Sequence, residues 1–128
     1  MSRERRRVSS GSPYEPVIGF SRAIRIGDRV LVSGTAPIRP DGTVDPNPAT
    51  QMRLCLEIVG AALAEAGAAL TDVVRTRTYL VDAADAEAVG GVHGEVFGGT
   101  RPASTMVVVA GLLDPRWKVE VEVEAQID

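Results

Sequence analysis

Glutamates alternate with apolar residues along the last predicted strand, and they are the clearest candidates for proton transfer. This strand covers residues 118–127, with its valines facing one way and its carboxylates the other. The carboxylates are Glu120, Glu122 and Glu124. A carboxylate beside a reacting bond can take up or release a proton. A row of three is also typical of a solvated or salt-bridged sheet face, and spacing alone favours that structural role.

A second predicted strand, residues 73–81, carries the opposite charge. Arg75, Arg77 and Tyr79 share one face of it, because side chains alternate along a strand. If the two strands are neighbours, arginines and glutamates can form cross-strand ion pairs. The charged residues therefore predict one polar sheet face that is continuous across both strands.

The composition is that of one small globular domain. The chain has 128 residues, of which 45% are hydrophobic and 24% charged, and its net charge is −3. A negative net charge without a stripe of basic residues argues against nucleic acid as a partner. Cys55 is the only cysteine, which excludes an intrachain disulfide. Its place on the apolar face of a predicted helix favours a buried thiol over a nucleophile.

The first 16 residues are predicted to form a flexible segment ahead of a single domain over residues 17–128. Ser, Gly and Pro are frequent there, and the arginines at positions 3, 5, 6 and 7 favour a solvated basic tail over an RNA-binding one. No apolar run follows them, so a signal peptide is not expected. No stretch approaches the ~20 apolar residues of a membrane span. We expect a cytoplasmic protein that binds neither membrane nor nucleic acid.

Hydrophobic periodicity predicts an α+β fold with the order β-β-α-β-α-β-β. A hairpin begins near Val17 and turns at residues 27–28, and a helix follows the N-cap candidate Asn47 and ends at Gly67. The later elements are a strand at 73–81, a helix at 84–97 and strands at 105–109 and 118–127. Two helices on one face of a mixed sheet leave the other face, half apolar and half charged, for association into a homo-oligomer.

Four segments, taken in order, carry a family resemblance. They are GFSRAIRIGDRVLVSGTAP (19–37), ATQMRLCLEIVGAALAEAGAALTDVVRTRTYLVD (49–82), VFGGTRPASTMVVVAGL (96–112) and VEVEVEA (119–125). Together they resemble the opening hairpin, the first helix with its following strand, the FG-x-x-x-P-A-R-S segment and the closing strand of the RidA (YjgF) family. The similarity covers nearly everything from residue 19 onward.

The resemblance implies a fold, an assembly and a chemistry. Family members have a chorismate-mutase-like fold and form homotrimers with a cleft between each pair of subunits. Many hydrolyse reactive enamines or imines to ketoacids and ammonia, and they use no metal or cofactor. The ligand expected here is accordingly a small molecule bound between subunits.

One substitution separates this chain from that pattern. In the family an arginine follows Pro-Ala and grips the substrate carboxylate with paired hydrogen bonds. Here Pro102-Ala103 is followed by Ser104 and Thr105. A hydroxyl donates one hydrogen bond and supplies no charge, so binding is expected to weaken by about 1.5–3 kcal/mol. The resemblance thus implies a divergent subgroup with a specificity altered from 2-imino acids.

Other matched positions complete the predicted site. Phe20 replaces the family's tyrosine, Gly90 replaces an asparagine, and Ser33 and Gly34 are retained. Glu122 is placed at the position of the family's carboxylate on the last strand. The resemblance makes a catalytic role for Glu122 as well supported as a structural role on the charged sheet face.

Three more residues are left open. Arg22 and Arg101 are the candidates to replace the missing guanidinium, against the alternative that both are surface residues. His93 takes an apolar or aromatic family position, and packing is favoured over acid–base work.

Two functions follow. The first is a cofactor-independent hydrolase or deaminase for a small enamine, imine or related carbonyl metabolite, in which Glu122 is catalytic. The alternative is a non-catalytic trimer that binds a small metabolite in the same cleft. A ribonuclease, the third activity that the resemblance suggests, is disfavoured by the negative charge and the lack of a basic aromatic face.

Overall fold

A six-stranded mixed sheet with two helices packed against it forms the protein in the computed structural model, which describes residues 4–128. The strands are β1 (Arg5–Val8), β2 (Ala23–Ile26), β3 (Arg29–Thr35), β4 (Val73–Leu80), β5 (Ala103–Val108) and β6 (Val119–Gln126). The helices are α1 (Pro48–Glu65) and α2 (Ala86–Phe97), and short helical turns lie at Glu15–Gly19, Leu70–Asp72 and Ala83–Asp85. The predicted α+β class is confirmed, as is the element order from β2 onward.

The sheet order is β1-β2-β3-β6-β4-β5, so the last strand lies in its middle. All neighbouring pairs are antiparallel except β4 and β5, which are parallel and are joined through α2. A parallel pair requires such a crossover. The valines of β6 are at most 2% exposed and form the centre of the core under α1.

Local signals at both ends define α1. The Asn47 side chain accepts a hydrogen bond from the Thr50 N–H, which satisfies one of the free donors of the first turn. Gly67, with φ of +83°, ends the helix in the left-handed conformation that glycine tolerates best. Its apolar face packs against the sheet through buried residues that include Met52 and Cys55.

The second helix continues through two glycines that weaken it. Gly90 and Gly91 each cost about 1 kcal/mol relative to alanine. Burial of Val89, Val92 and Phe97, all at most 2% exposed, offsets this cost. None of the helices within residues 4–128 has the length and apolar character that a membrane crossing needs.

The N-terminal segment differs from the sequence prediction. Residues 5–8, expected to be part of a flexible segment, form β1 and pair with β2. Val8 is 4% exposed, and its carbonyl accepts a 2.9 Å hydrogen bond from the Arg22 N–H. Main-chain pairing at a sheet edge leaves little trace in composition, which is why the strand was missed. Residues 1–3, including the first arginine of the basic run, lie outside the described part.

The first strand of the predicted hairpin is also shorter than expected. It begins at Ala23, because Glu15–Gly19 forms a helical turn and Phe20 lies in extended backbone beyond it. The predicted turn at Gly27-Asp28 is confirmed between β2 and β3.

The sheet face away from the helices carries the expected charge ladder. Arg77 Nη1 lies 3.2 Å from Glu124 Oε1 and 3.8 Å from Glu122 Oε2, and Arg29 pairs with Glu124 at 3.1 Å. These pairs confirm that β4 and β6 are neighbours. Leu31 and Val107 add exposed apolar surface to the same face, at 38% and 42% exposure.

Candidate functional site

A cleft of about 410 Å³ opens where β1, the Glu15–Gly19 turn and the start of the β2–β3 hairpin meet. Its lining combines cationic, anionic, aromatic and hydroxyl groups. The lining residues are Arg7, Glu15, Gly19, Phe20, Ser21, Ile24 and Ser33. A cleft with one aromatic wall and several convergent polar groups is the usual form of a small-molecule site.

Arg22 lies next to Phe20, one of the residues that line the cleft. Its guanidinium carbon lies 5.7 Å from the centroid of the Phe20 ring, within cation–π range. Arg22 Nη2 donates a 2.7 Å hydrogen bond to the Gly34 carbonyl, whereas Nε is buried without a partner. Burial lowers the Arg22 pKa, and the nearby Glu15 and Glu120 carboxylates act against this shift. The guanidinium is therefore held in place instead of being solvated.

Ser33 and Gly34 shape the cleft through a β-bulge. The β3–β6 register shifts between Val32 and Thr35, which places both residues in the irregular stretch. Ser33 Oγ donates a 2.7 Å hydrogen bond to the Ser21 carbonyl. At Gly34 a Cβ would lie 3.3 Å from both Cδ and Oε1 of Glu120. Glycine at this position allows the Glu120 carboxyl to approach the backbone closely.

Glu120 is the carboxylate with the perturbed environment. Burial raises its pKa above the ordinary value of 4.5, the Arg22 charge lowers it in part, and the Glu122 charge raises it further. A partly buried carboxyl with a raised pKa exchanges protons at a pH closer to neutrality than an exposed one does. Such a group is suited to act as both acid and base.

Glu122, on which the sequence prediction placed the catalytic role, has a different setting. Its carboxylate faces β4, where it accepts a hydrogen bond from the Tyr79 hydroxyl and lies 3.8 Å from Arg77 Nη1. That hydrogen bond is the main reason the pKa of Tyr79 is raised. The catalytic role of Glu122 stays a prediction, and strict alternation gives Glu120 and Glu122 the same sequence pattern although their surroundings in the structure differ. The two carboxylates lean to opposite sides, and Glu120 is the one beside Gly34 and Arg22.

The remaining predicted site residues lie at the other edge of the sheet. Ser104 and Thr105 are exposed on β5, which β4 and β6 separate from β3. Arg101 precedes β5, is exposed, and has a φ of +52° that is uncommon for a residue with a side chain. Within one chain these three residues lie apart from the predicted site residues that do come together. Those residues are Phe20, Arg22, Ser33 and Gly34.

Ser104 belongs to a hydrogen-bonded chain of its own. Thr76 Oγ1 lies 2.9 Å from Ser104 Oγ and 2.8 Å from His93 Nε2. Since a threonine hydroxyl has one proton, Thr76 donates to one of these partners and accepts from the other. Burial lowers the pKa of His93. Its ring packs against Phe97 in a tilted arrangement, with 4.8 Å between the ring centroids. The histidine thus combines the expected packing role with a link to Ser104.

Two other expectations concern nucleophiles and metals. Cys55 is fully buried, and burial raises the pKa of its thiol, so the prediction of an inert buried thiol is confirmed. Across residues 4–128 there is no cluster of three His, Cys, Asp or Glu side chains arranged to hold a metal ion.

Sequence reasoning missed Arg7 and Glu15. Both lie in the segment that was predicted to be flexible, and neither alternates with a strong hydrophobic pattern. The pairing of β1 with β2 brings Arg7 to the cleft, and the Glu15–Gly19 turn brings Glu15 there.

The chain is an α+β protein with a cleft beside a mixed sheet, and comparisons identify its family. The family model described as "Endoribonuclease L-PSP" matches residues 11–127. The crystal structure of Rv2704 from Mycobacterium tuberculosis, described as a member of the YjgF/YER057c/UK114 family, superposes with a TM-score of 0.90 at 43% identity. The match covers 97% of this chain and 100% of that one. The protein belongs to the RidA/YjgF family.

Curated relatives agree with this assignment. The protein SCO2049 of Streptomyces coelicolor is 43% identical over 121 residues, which cover 94% of this chain and 90% of that protein. The 2-iminobutanoate/2-iminopropanoate deaminase of Escherichia coli is 31% identical over 110 residues, which cover 83% of this chain and 84% of the enzyme. The resemblance stated from the sequence is confirmed at the level of the family.

Proposed function

We propose that this protein is a cofactor-independent hydrolase that deaminates a small imine, enamine or related carbonyl metabolite, with a specificity that differs from that for 2-imino acids. Family membership and the Escherichia coli deaminase relative support a deaminase-like role. One observation carries the proposal: a partly buried glutamate, Glu120, lies against Gly34 in a polar bulge beside the cleft, and burial raises its pKa.

Glu120 is the acid and base of the proposed reaction. Its carboxylate takes a proton from water as the water oxygen bonds to the imine carbon and the C=N electron pair moves to nitrogen, and Glu120 then passes this proton to that nitrogen, which gives a neutral carbinolamine. In the second step Glu120 takes the proton of the carbinolamine hydroxyl and delivers it to the nitrogen. The C=O bond forms as the C–N bond breaks, and ammonia leaves. For an enamine, proton transfer to carbon first generates the imine. Glu122 contributes through its charge, which raises the pKa of Glu120.

The proposed change in specificity rests on Ser104. A serine hydroxyl that is hydrogen-bonded to Thr76 cannot reproduce the charge and the paired donors of an arginine. On the other side, Phe20 and Ser33 line the cleft, and Arg22 and Gly34 lie next to them. Thr105 and Arg101 lie near Ser104 on the β5 side.

A homotrimer is part of the proposal. The Phe20 group and the Ser104 group lie on different edges of one sheet, so a single ligand can contact both only if a second copy brings its β5 edge to the cleft. The exposed apolar side chains Val107 and Val108 on β5, at 42% and 54% exposure, provide surface for that contact. A cytoplasmic location, where small reactive imines arise, completes the proposal.

The alternative is a non-catalytic trimer that binds a small metabolite in the same cleft. The neutral residue at position 104 favours it, because a binding protein can lose the family's carboxylate grip without losing its role. The two functions differ in whether Glu120 accelerates any reaction.

Imine decay measured with Glu120→Gln separates them. Imines with an α-carboxylate are generated in situ by an amino-acid oxidase, and imines without one by an amine oxidase. Their decay is followed with the wild type, with Glu120→Gln and with the control Glu124→Gln. Glu124 lies on the same strand and face but pairs with Arg29 and Arg77. We expect the wild type to accelerate decay of at least one imine, and Glu120→Gln to reduce that acceleration by about 10²–10⁴-fold. Equal rates for wild type and Glu120→Gln would contradict a catalytic role.

A further inference from the structure

We propose that Arg7 supplies the guanidinium that binds an acidic group of the ligand in the cleft, which makes small carboxylates the ligand class of this site. The inference rests on the proposed function for the identity of the cleft as the ligand site. It assigns the substrate grip to a strand that none of the predicted site residues belongs to.

Strand pairing fixes the position of Arg7. The β1–β2 register sets Arg7 opposite Ile24 and Val8 opposite Ala23. Val8 and Ala23 are buried at 4% and 1% exposure, which fixes the side of the strand that faces the core. Because side chains alternate, Arg7 and Ile24 lie on the other side, and both line the cleft.

The Glu15 carboxylate, which also lines the cleft, already has hydrogen-bond partners within the chain. Glu15 Oε2 accepts hydrogen bonds from the Ser10 hydroxyl at 2.7 Å, the Ser10 N–H at 3.1 Å and the Ser12 N–H at 3.3 Å. The hydrogen bond with the Ser10 side chain is the main cause of its lowered pKa. Arg7 lines the same cleft, and no ion pair within residues 4–128 includes it, so its guanidinium donors are not paired with a protein carboxylate.

Arg22 is not an equivalent candidate. Its Nη2 is committed to the Gly34 carbonyl, and its side chain is held against Phe20. Arg7 is exposed, so it can turn toward a ligand without breaking an internal hydrogen bond. The two cations therefore have different roles: Arg22 has a structural role next to Phe20, and Arg7 binds the ligand.

The chemistry of the lining suits a small carboxylate. A guanidinium fork donates two parallel hydrogen bonds to a carboxylate, Ser33 adds a hydroxyl, and Phe20 and Ile24 supply apolar contact for a short carbon chain. An acid held by Arg7 places its carboxylate on the β1 side of the cleft. This position differs from that of Ser104 on β5, so an acid held by Arg7 has a different orientation relative to Glu120 from one held at position 104.

Equilibrium binding tests the proposal without requiring turnover. The affinity of 2-oxobutanoate is measured by isothermal titration calorimetry for the wild type, Arg7→Gln, Arg7→Lys and the control Arg6→Gln. Arg6 is also exposed but lies on the opposite side of β1, opposite Arg25. We expect Arg7→Gln to weaken binding about 10-fold or more, Arg7→Lys to recover part of the loss, and Arg6→Gln to match the wild type. Butanone, which lacks the carboxylate, should bind all four proteins equally weakly.

Two results overturn the inference. One is equal affinity of Arg7→Gln and the wild type for 2-oxobutanoate. The other is the absence of measurable wild-type binding for 2-oxobutanoate and for straight-chain monocarboxylates of three to six carbons. Imine decay gives an independent result. If Glu120→Gln decays imines as fast as the wild type while binding still depends on Arg7, only the proposed catalysis is refuted. If Glu120→Gln is slower but binding does not depend on Arg7, only the Arg7 site is refuted.

Discussion

Arg22 Nη2 donates a 2.7 Å hydrogen bond to the carbonyl oxygen of Gly34 and so ties the start of β2 to the bulge of β3. This contact holds a cation close enough to Glu120 to lower that carboxyl's pKa against the effect of burial. It also keeps the guanidinium over the Phe20 ring. One hydrogen bond therefore holds the Arg22 cation where it contacts the Phe20 ring and acts on the pKa of Glu120.

Replacing Arg22 by methionine should move the pH dependence of the reaction. The change removes the positive charge that lowers the pKa of Glu120 while keeping much of the apolar stem. The pKa of Glu120 should rise further, so the acidic limb of the pH–rate profile should shift to higher pH. Initial rates between pH 4 and 9 measure it. Arg53→Met, which removes an exposed cation paired with Glu95, should leave the profile unchanged; a shift of equal size in both variants would count against the specific role of Arg22.

Gly34→Ala should reduce activity without unfolding the protein. The added Cβ would lie 3.3 Å from the Glu120 carboxyl, so that side chain must move by a few tenths of an ångström. Displacement of a catalytic group on this scale costs up to about 10²-fold in rate. Imine decay and thermal unfolding measured together check the prediction.

Gly91→Ala is the matched control for this substitution. Nothing lies within 4 Å of its added Cβ, and the residue is in the interior of α2. We expect unchanged activity and a gain of about 1 kcal/mol in the free energy of unfolding. A Gly34→Ala enzyme as active as the Gly91→Ala enzyme would show that the close approach of Glu120 is not needed.

His93 should make stability depend on pH on the acid side of neutrality. Burial lowers its pKa below the ordinary value of 6.5, so the unfolded chain binds a proton more readily than the folded one. The contribution of the neutral ring is present above about pH 6.5 and is lost as the pH falls toward the lower, folded-state pKa. Urea unfolding at pH 5 to 8 should show a smaller decrease below pH 6.5 in His93→Phe than in the wild type. Parallel curves for the two proteins would contradict this assignment.

Ser104→Arg should increase activity on 2-imino acids. The substitution restores a cation at the position where family members carry one, at the expense of the hydrogen bond between Ser104 and Thr76. We expect faster decay of 2-iminobutanoate than with the wild type and little change for imines that lack a carboxylate. Thr105→Arg is the control, because its side chain lies on the opposite face of β5, beside Arg77. Rapid hydrolysis of 2-iminobutanoate by the wild type itself would refute the proposed change of specificity.

The sequence by itself determined the fold class and most of its elements. Residues 48–65 form a helix because a cap, a proline and an apolar face all favour it, and residues 119–126 form a strand because alternation there is nearly perfect. These signals are local, so they are legible in a single chain. The same alternation could not distinguish Glu120 from Glu122, since both have identical sequence surroundings.

Tertiary structure decided the rest, because each remaining feature depends on contacts between distant segments. Arg7 reaches the cleft through pairing of β1 with β2, and Arg22 is fixed by a carbonyl on the next strand. Glu120 differs from Glu122 because a bulge in β3 admits one carboxyl and Tyr79 on β4 holds the other. Main-chain pairing and a one-residue bulge are stabilised by hydrogen bonds that any sequence can make, so the residue pattern does not encode them.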